Sequence, residues 1–339
     1  MMSDLDLSAV SAWMAENVEG YRGPLSATKF EVGQSNPTFR LNAGSGSYVL
    51  RRKPEGALLK SAHAVDREFR VQKALWATDV PVPCVLALCD DESVIGSMFY
   101  VMEHVSGRNI AEPSMTDLVP GERAEIACEM ARVLAAIHDV DLEAAGLSDY
   151  GPPGHYYARQ LKRWAGQYEA SETEHLPQMD RLIARLGEEM PEDDGTRTLV
   201  HGDYRIDNLL FAQEGTSCRA VLDWELSTLG HPFADLAAVI MQWQMPPGAE
   251  GRGLAGLDRD ALGLPSDDAF IEMYCEARGI ARPERFGYYV AFSFFRMGAI
   301  LQGVKRRALD GNASNPESGL RLGAYVPRFA EMGLAWLDS

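Results

Sequence analysis

The chain has 339 residues, 46% of them apolar and 24% charged, and carries a formal net charge of -17. That length predicts roughly two domains with an ample core, and the acidic balance excludes a non-specific nucleic-acid binder and a polybasic membrane-surface protein. The cysteines (Cys84, Cys89, Cys128, Cys218, Cys275) lack any CxxC pair and give no zinc framework, the N-terminus has no signal-peptide pattern, and no apolar run nears the ~20 residues that span a bilayer, so a cytoplasmic, non-membrane protein is expected.

In chain order, Leu5, Leu7, Val10, Trp13, Met14 and Val18 recur at helical spacing and predict an amphipathic helix over 5–18. Short β-like runs follow: 28–32, then Thr38–Leu41 after a Gly33-Gln34-Ser35-Asn36-Pro37 turn, then 48–53 after Gly44-Ser45-Gly46-Ser47. Runs of this kind separated by Gly, Ser and Asn read as an antiparallel meander. Residues 61–77 carry Val65, Phe69, Gln72 and Trp76 on one helical face, and Pro81 and Pro83 close that element. Runs at 85–88 and 98–103 predict a strand pair. At Ser106-Gly107 the β-rich character gives way to helices at 122–138, 155–171, 177–190, 233–243, 267–278 and 284–308, with a Gly/Pro/Asp-rich loop at 246–266. The expected division is 1–105 and 106–339.

Between these helices lies His201-Gly202-Asp203-Tyr204-Arg205-Ile206-Asp207-Asn208, flanked by apolar runs at 198–200 and 220–222 that read as buried strands. Their ends would gather Asp203, Asp207, Asn208 and Asp223, hard oxygen ligands suited to magnesium. A His-x-Asp with Asn five residues after the Asp, then a strand and Leu222-Asp223, approaches the protein-kinase spacing of catalytic loop and metal ligand.

With Gly33–Phe39, Tyr48–Arg51, Arg67-Glu68-Phe69 and Phe99–Glu103 in matching order, the chain resembles the aminoglycoside phosphotransferase family of kinase-like enzymes. It is most similar to the branch found fused to acyl-CoA dehydrogenases. The resemblance implies an α+β, bilobal protein-kinase-like fold, with a small β-rich N-lobe and a larger, mainly helical C-lobe. It implies ATP and Mg²⁺ as cofactors, and γ-phosphoryl transfer to the hydroxyl of a small-molecule substrate, a hydroxyacyl compound or its CoA ester. A functional link to an acyl-CoA dehydrogenase is a further implication. Asp203 would be the catalytic base, Asn208 and Asp223 the magnesium ligands, and Arg205 would neutralise the transferred phosphoryl group. Gly33, Gln34, Ser35 and Asn36 would cover the phosphates, and Glu103, His104 and Val105 would meet the adenine edge through backbone groups. Arg51 stands where the family has a phosphate-holding lysine, paired with Glu68. Val49 shares its strand face and would pack on adenine, while Arg52 and Lys53 are the alternatives to Arg51. Asp235 would brace the catalytic loop, and the helix at 284–308 with that at 155–171 would wall the acceptor pocket, where Arg296 or Arg306 could meet an anionic group.

Two rival readings remain at this point. A metal-dependent phosphoester hydrolase on His201, Asp203 and Asp223 would leave the N-terminal motifs unexplained. A nucleotide-binding pseudokinase acting as a regulatory module would not need the retained Asp203, Asn208 and Asp223.

Overall fold

The computed structural model describes residues 5–30, 36–54, 64–248, 251–313 and 315–339. The first half forms α1 (Leu7–Asn17), β1 (Ser26–Lys29), β2 (Thr38–Ala43), β3 (Gly46–Arg52), α2 (Val65–Leu75), β4 (Val85–Cys89), β5 (Phe99–Glu103), β6 (Arg108–Asn109) and α3 (Pro120–His138). Next come α4 (Tyr156–Ser171), α5 (Pro177–Glu188), β7 (Thr198–Val200), β8 (Leu209–Phe211), β9 (Cys218–Val221) and β10 (Thr228–Gly230). The chain ends in α6 (Phe233–Trp243), α7 (Arg259–Leu262), α8 (Asp267–Arg278), α9 (Phe286–Leu309), α10 (Pro316–Gly323) and α11 (Val326–Leu337). Two compact units result, one of Met1–Ile110, Val140–Ser148 and Arg205–Ser227, the other of Ala111–Asp139, Asp149–Tyr204 and Thr228–Ser339. The chain re-enters the first unit at Arg205 because β8 pairs with β6, and β9 in turn with β8.

The first unit is built on an antiparallel sheet of order β1-β2-β3-β5-β4. Strand alternation gives it two apolar faces. Leu41, Leu50, Phe99 and Val101 face Val10 and Met14 of α1 and Val18 just beyond it, while Val49, Tyr100 and Met102 face Val65 and Phe69 of α2. Each large side chain buried this way contributes about 1.5–3 kcal/mol. The same alternation separates two neighbouring arginines. Arg51 emerges on the α2 side, whereas Arg52 lies on the α1 side, over the Phe39 ring at 6.0 Å. The α1 helix starts where Asp6 caps it, accepting from the backbone N–H groups of Ser8 and Ala9 at 3.0 Å, as expected of an N-cap aspartate. In the second sheet, β6-β8-β9, Gly107 approaches β8 so closely that a Cβ there would sit 2.5 Å from both Leu210 Cγ and the Phe211 carbonyl.

The second unit is helical around α9, a 24-residue helix whose neighbours include α4, α5, α6, α10 and α11. Small residues admit these close approaches: a Cβ at Gly298 would meet Met179 at 2.7 Å, and one at Gly333 would meet Leu182 at 2.7 Å. Three features differ from the sequence reading. The flanking strands do not share a sheet: β7 pairs with β10, and β9 with β8, because a three-residue apolar run encodes burial but not its partner. Residues 259–262 of the expected loop form the short helix α7, with Asp258 as its cap. The C-terminal helices α10 and α11 had no sequence assignment.

Candidate active site

In the first unit, Arg51 gathers the acidic residues. Its Nε donates to Glu68 Oε2 at 2.7 Å and its Nη2 to Glu68 Oε1 at 2.8 Å, a bidentate fork. The same Nη2 donates to Asp223 Oδ1 at 2.5 Å and lies 3.8 Å from Glu225 Oε2. Glu225 also accepts from Asn36 Nδ2 at 3.2 Å. Ligand oxygens of Glu68, Asp223 and Glu225 lie within 4.8 Å of one another, so three carboxylates share one guanidinium. Burial, only partly offset by Arg51, pushes the Glu68 carboxyl up to about 7. Burial works against the Arg51 charge as well, but Glu68, Tyr100 and Asp223 outweigh it and hold the guanidinium protonated. The Tyr100 hydroxyl donates to Glu68 Oε2 at 3.4 Å and accepts from Gln72 at 3.0 Å, which ties the acid to the sheet.

Asp223 follows β9 in a left-handed backbone conformation (φ 64, ψ 60), which aspartate tolerates better than most residues. Buried Trp224 anchors the turn, its indole N–H donating to the Val221 carbonyl at 3.0 Å. Asn208 ends a 3₁₀ turn, and its carbonyl accepts the Leu222 N–H at 2.8 Å, so the two proposed metal ligands are fixed to one another through backbone. The donor set, an amide oxygen and carboxylate oxygens already holding a cation, suits a hard divalent ion. Arg205 donates to Asp207 at 3.1 Å, and Asn109 donates to the Asp207 carbonyl at 2.6 Å. Val49 lies on the α2 face with Arg51. The N–H of Glu103 meets the Cys84 carbonyl at 2.9 Å and that of His104 meets Ser47 at 3.3 Å; Val105 follows, half-buried. Gly33, Gln34 and Ser35 lie outside the described residues.

Asp203 belongs to the second unit, just beyond β7. Its loop is held at several points. Asp235 accepts the N–H groups of His201 at 2.7 Å and Gly202 at 2.8 Å. The His201 ring accepts the Asp203 N–H at 3.2 Å, and the Tyr204 hydroxyl donates to the Met130 carbonyl at 2.7 Å. Gly202 takes φ 85, a conformation glycine adopts without strain. Arg296 of α9 donates to the Gly202 carbonyl at 3.3 Å and lies over Trp164 of α4, with Arg163 also against that indole. Arg306 instead pairs with Asp310. A cavity of about 130 Å³ is lined by Tyr156, Arg159, Asp194, Arg197, His231 and Tyr289. It opens beside Thr196-Arg197, at the end of β7 away from Asp203.

Sequence reasoning missed two participants. Glu225 has no local sequence signal for its contact, because its partner Asn36 is 189 residues away. His138, behind Asp235, was not singled out, although Met130, Leu134 and His138 at i, i+4 and i+8 already placed it on the buried stripe of α3.

The sequence pattern of the phosphotransferase enzyme family matches residues 26–287. The chain belongs to that family. It is similar to mouse acyl-CoA dehydrogenase family member 10, 46% identical over 93% of this chain and 29% of the relative, and to rat family member 11, 40% identical over 97% and 43%. The chain thus spans less than half the length of these curated relatives. Among solved structures it is similar to a Ralstonia eutropha protein named for the aminoglycoside phosphotransferases, 47% identical, TM-score 0.91, covering 99% of each chain. Two more distant structures share the fold. Aminoglycoside phosphotransferase APH(4)-Ia, solved with ADP and hygromycin B, has TM-score 0.62 at 17% identity, covering 98% of this chain and 99% of that one. Choline kinase from Cryptosporidium parvum has TM-score 0.63 at 12% identity, covering 98% and 96%. The chain therefore has the kinase-like fold expected from its sequence, with a small antiparallel-sheet lobe and a helical lobe. No helix among the described residues is long and apolar enough to cross a membrane.

Proposed function

We propose that this phosphotransferase is an ATP-dependent kinase that phosphorylates the hydroxyl of a small acyl compound, free or as its CoA ester. The observation that carries the reading is the Arg51 guanidinium, forked on Glu68 and bonded to Asp223. A strand cation held by a helix acid and joined to a metal-ligand carboxylate is the arrangement that phosphoryl transfer needs.

Asp203 accepts the proton of the attacking hydroxyl. Arg51 holds non-reacting phosphate oxygens, Glu68 keeps its fork oriented, and Arg205 balances charge on the transferred group. Asn208 and Asp223 would hold magnesium, which neutralises phosphate charge when bound. Gly33 to Asn36 cover the phosphates, Val49 packs on the base, and the backbone of Glu103, His104 and Val105 meets its edge. Nucleotide use is supported by the ADP in the fold relative APH(4)-Ia. The acyl acceptor is supported by the dehydrogenase names of the relatives and by Arg296 beside the Asp203 loop, a cation for an anionic acceptor. The same names support a functional link to an acyl-CoA dehydrogenase.

Purified protein with Mg-ATP is expected to release ADP faster when hydroxyacyl compounds are added, and Asp203→Asn to abolish that stimulation. Absence of stimulation across hydroxyacyl, aminoglycoside, choline and homoserine acceptors would refute the proposal, as would full activity of Asp203→Asn.

A further inference from the structure

Asp235 does not stand alone behind the loop. His138, the last residue of α3, places Nε2 3.2 Å from Asp235 Oδ2 and Nδ1 2.6 Å from the Tyr274 hydroxyl. Arg278 donates from Nη1 to the Tyr274 oxygen at 3.2 Å and from Nε to Asp139 at 2.8 Å, near the surface. His138 and Asp235 are essentially excluded from solvent, so each polar atom must be matched internally.

The chemistry fixes the direction of every bond in this line. Asp235 already accepts the backbone N–H groups of His201 and Gly202, and donors of this kind favour its ionised form. An ionised carboxylate only accepts, so His138 must carry its proton on Nε2. Burial disfavours a second proton on the imidazole, and with Arg278 donating to the Tyr274 oxygen, Nδ1 at 2.6 Å is the acceptor for the Tyr274 proton. Donation runs from Arg278 through Tyr274 and His138 to Asp235, where it meets the two amides of the loop.

We propose that His138, with its proton on Nε2, is a positioning residue of the Asp203 loop, and that Tyr274 and Arg278 of α8 set its tautomer. With both N–H groups of His201 and Gly202 on one carboxylate, a turn of that carboxylate shifts the peptide carrying Asp203. His138 blocks the turn by holding Oδ2. Calling the loop catalytic rests on the function proposed above, but the brace itself does not.

The test is amide hydrogen exchange on full-length protein, read by NMR at His201 and Gly202 and, as the global reference, at α11. His138→Leu removes the donor to Asp235, whereas His138→Gln keeps an N–H donor. Exchange at the two loop amides is expected to rise about tenfold or more relative to α11 in His138→Leu, the loss of one hydrogen bond to a charged group, and to return within about threefold of wild type in His138→Gln. An equal rise in α11, no rise, or no rescue by Gln overturns the proposal. Should His138→Leu fail to fold, Tyr274→Phe serves: imidazole ¹⁵N spectra are expected to show the Nε2–H tautomer in wild type and a mixture in the variant. Any other tautomer in wild type, or an unchanged one in the variant, overturns it. ATP turnover in the same proteins separates the two claims. Loop exchange behaving as expected without ATP turnover in wild type would sink the kinase reading and leave the brace standing.

Discussion

Replacing Arg51 with methionine keeps most of the stem volume and removes the fork. Three charge-assisted contacts disappear, two to Glu68 and one to Asp223. Glu68 is 1% exposed, so water cannot substitute for the guanidinium. Removing one partner of such a buried pair costs about 3–5 kcal/mol, because the remaining charge stays buried. Glu68 can relieve part of this by taking up a proton, toward which burial already pushes it, so the lower end, about 3 kcal/mol, is expected near neutral pH. Arg51→Lys keeps the charge but not the planar fork, and is expected to cost about 1.5–3 kcal/mol, one hydrogen bond to a charged group. Urea unfolding of wild type, Arg51→Met, Glu68→Gln and the double variant gives a cycle. The double variant should be more stable than the sum of single losses implies, with a coupling of about 2 kcal/mol. Additive losses, or an Arg51→Met within about 0.5 kcal/mol of wild type, would refute the view that the pair is a coupled, desolvated unit. In the same series, both Arg51 variants are expected to weaken Mg-ATP binding, read by titration calorimetry, at least about tenfold for methionine.

Two further predictions follow from other parts of the molecule. Burial lowers the His231 imidazole to about 4 from an ordinary 6.5. A depressed histidine stabilises the fold fully above its unfolded value and loses that contribution as pH falls. Wild type should therefore lose about 2.5 kcal/mol more than His231→Asn between pH 7 and pH 4.5, and identical pH slopes in urea unfolding would refute this. Gly107→Ala places its methyl against Leu210 and the Phe211 carbonyl, and should lower stability by about 1–3 kcal/mol, visible as a fall in Tm.

Most helices and the five strands of the first sheet were legible because each buries one face, and burial prints a period on the sequence. The separation of Arg51 from Arg52 was legible for the same reason: alternation alone assigns them to opposite faces, and Glu68 on α2 then selects Arg51. The pairing of β7 with β10 was not legible. Both are three residues long, and nothing so short distinguishes one partner from another. The helices α10 and α11 escaped notice because Gly319, Gly323 and Gly333 interrupt their pattern. Those glycines sit at buried contacts, where the absence of a side chain is what permits packing.

The site residues divide along similar lines. Asp203, Asn208 and Asp223 are proposed from spacing within one segment, which sequence displays directly. Glu225 and His138 act through partners distant in the chain, Asn36 and Asp235, and no local spacing announces such a bond. Yet the residue types carried a constraint. A histidine on the buried stripe of α3 requires two internal hydrogen-bond partners, and Asp235, an aspartate among the apolar residues of α6, requires donors just as strictly. Each buried polar residue predicts that another exists. Matching His138 to Asp235 was therefore a question of pairing, and the fold, by packing α8 against α3 and seating Asp235 under the His201–Gly202 peptide, supplies the one arrangement in which every group in the line is satisfied.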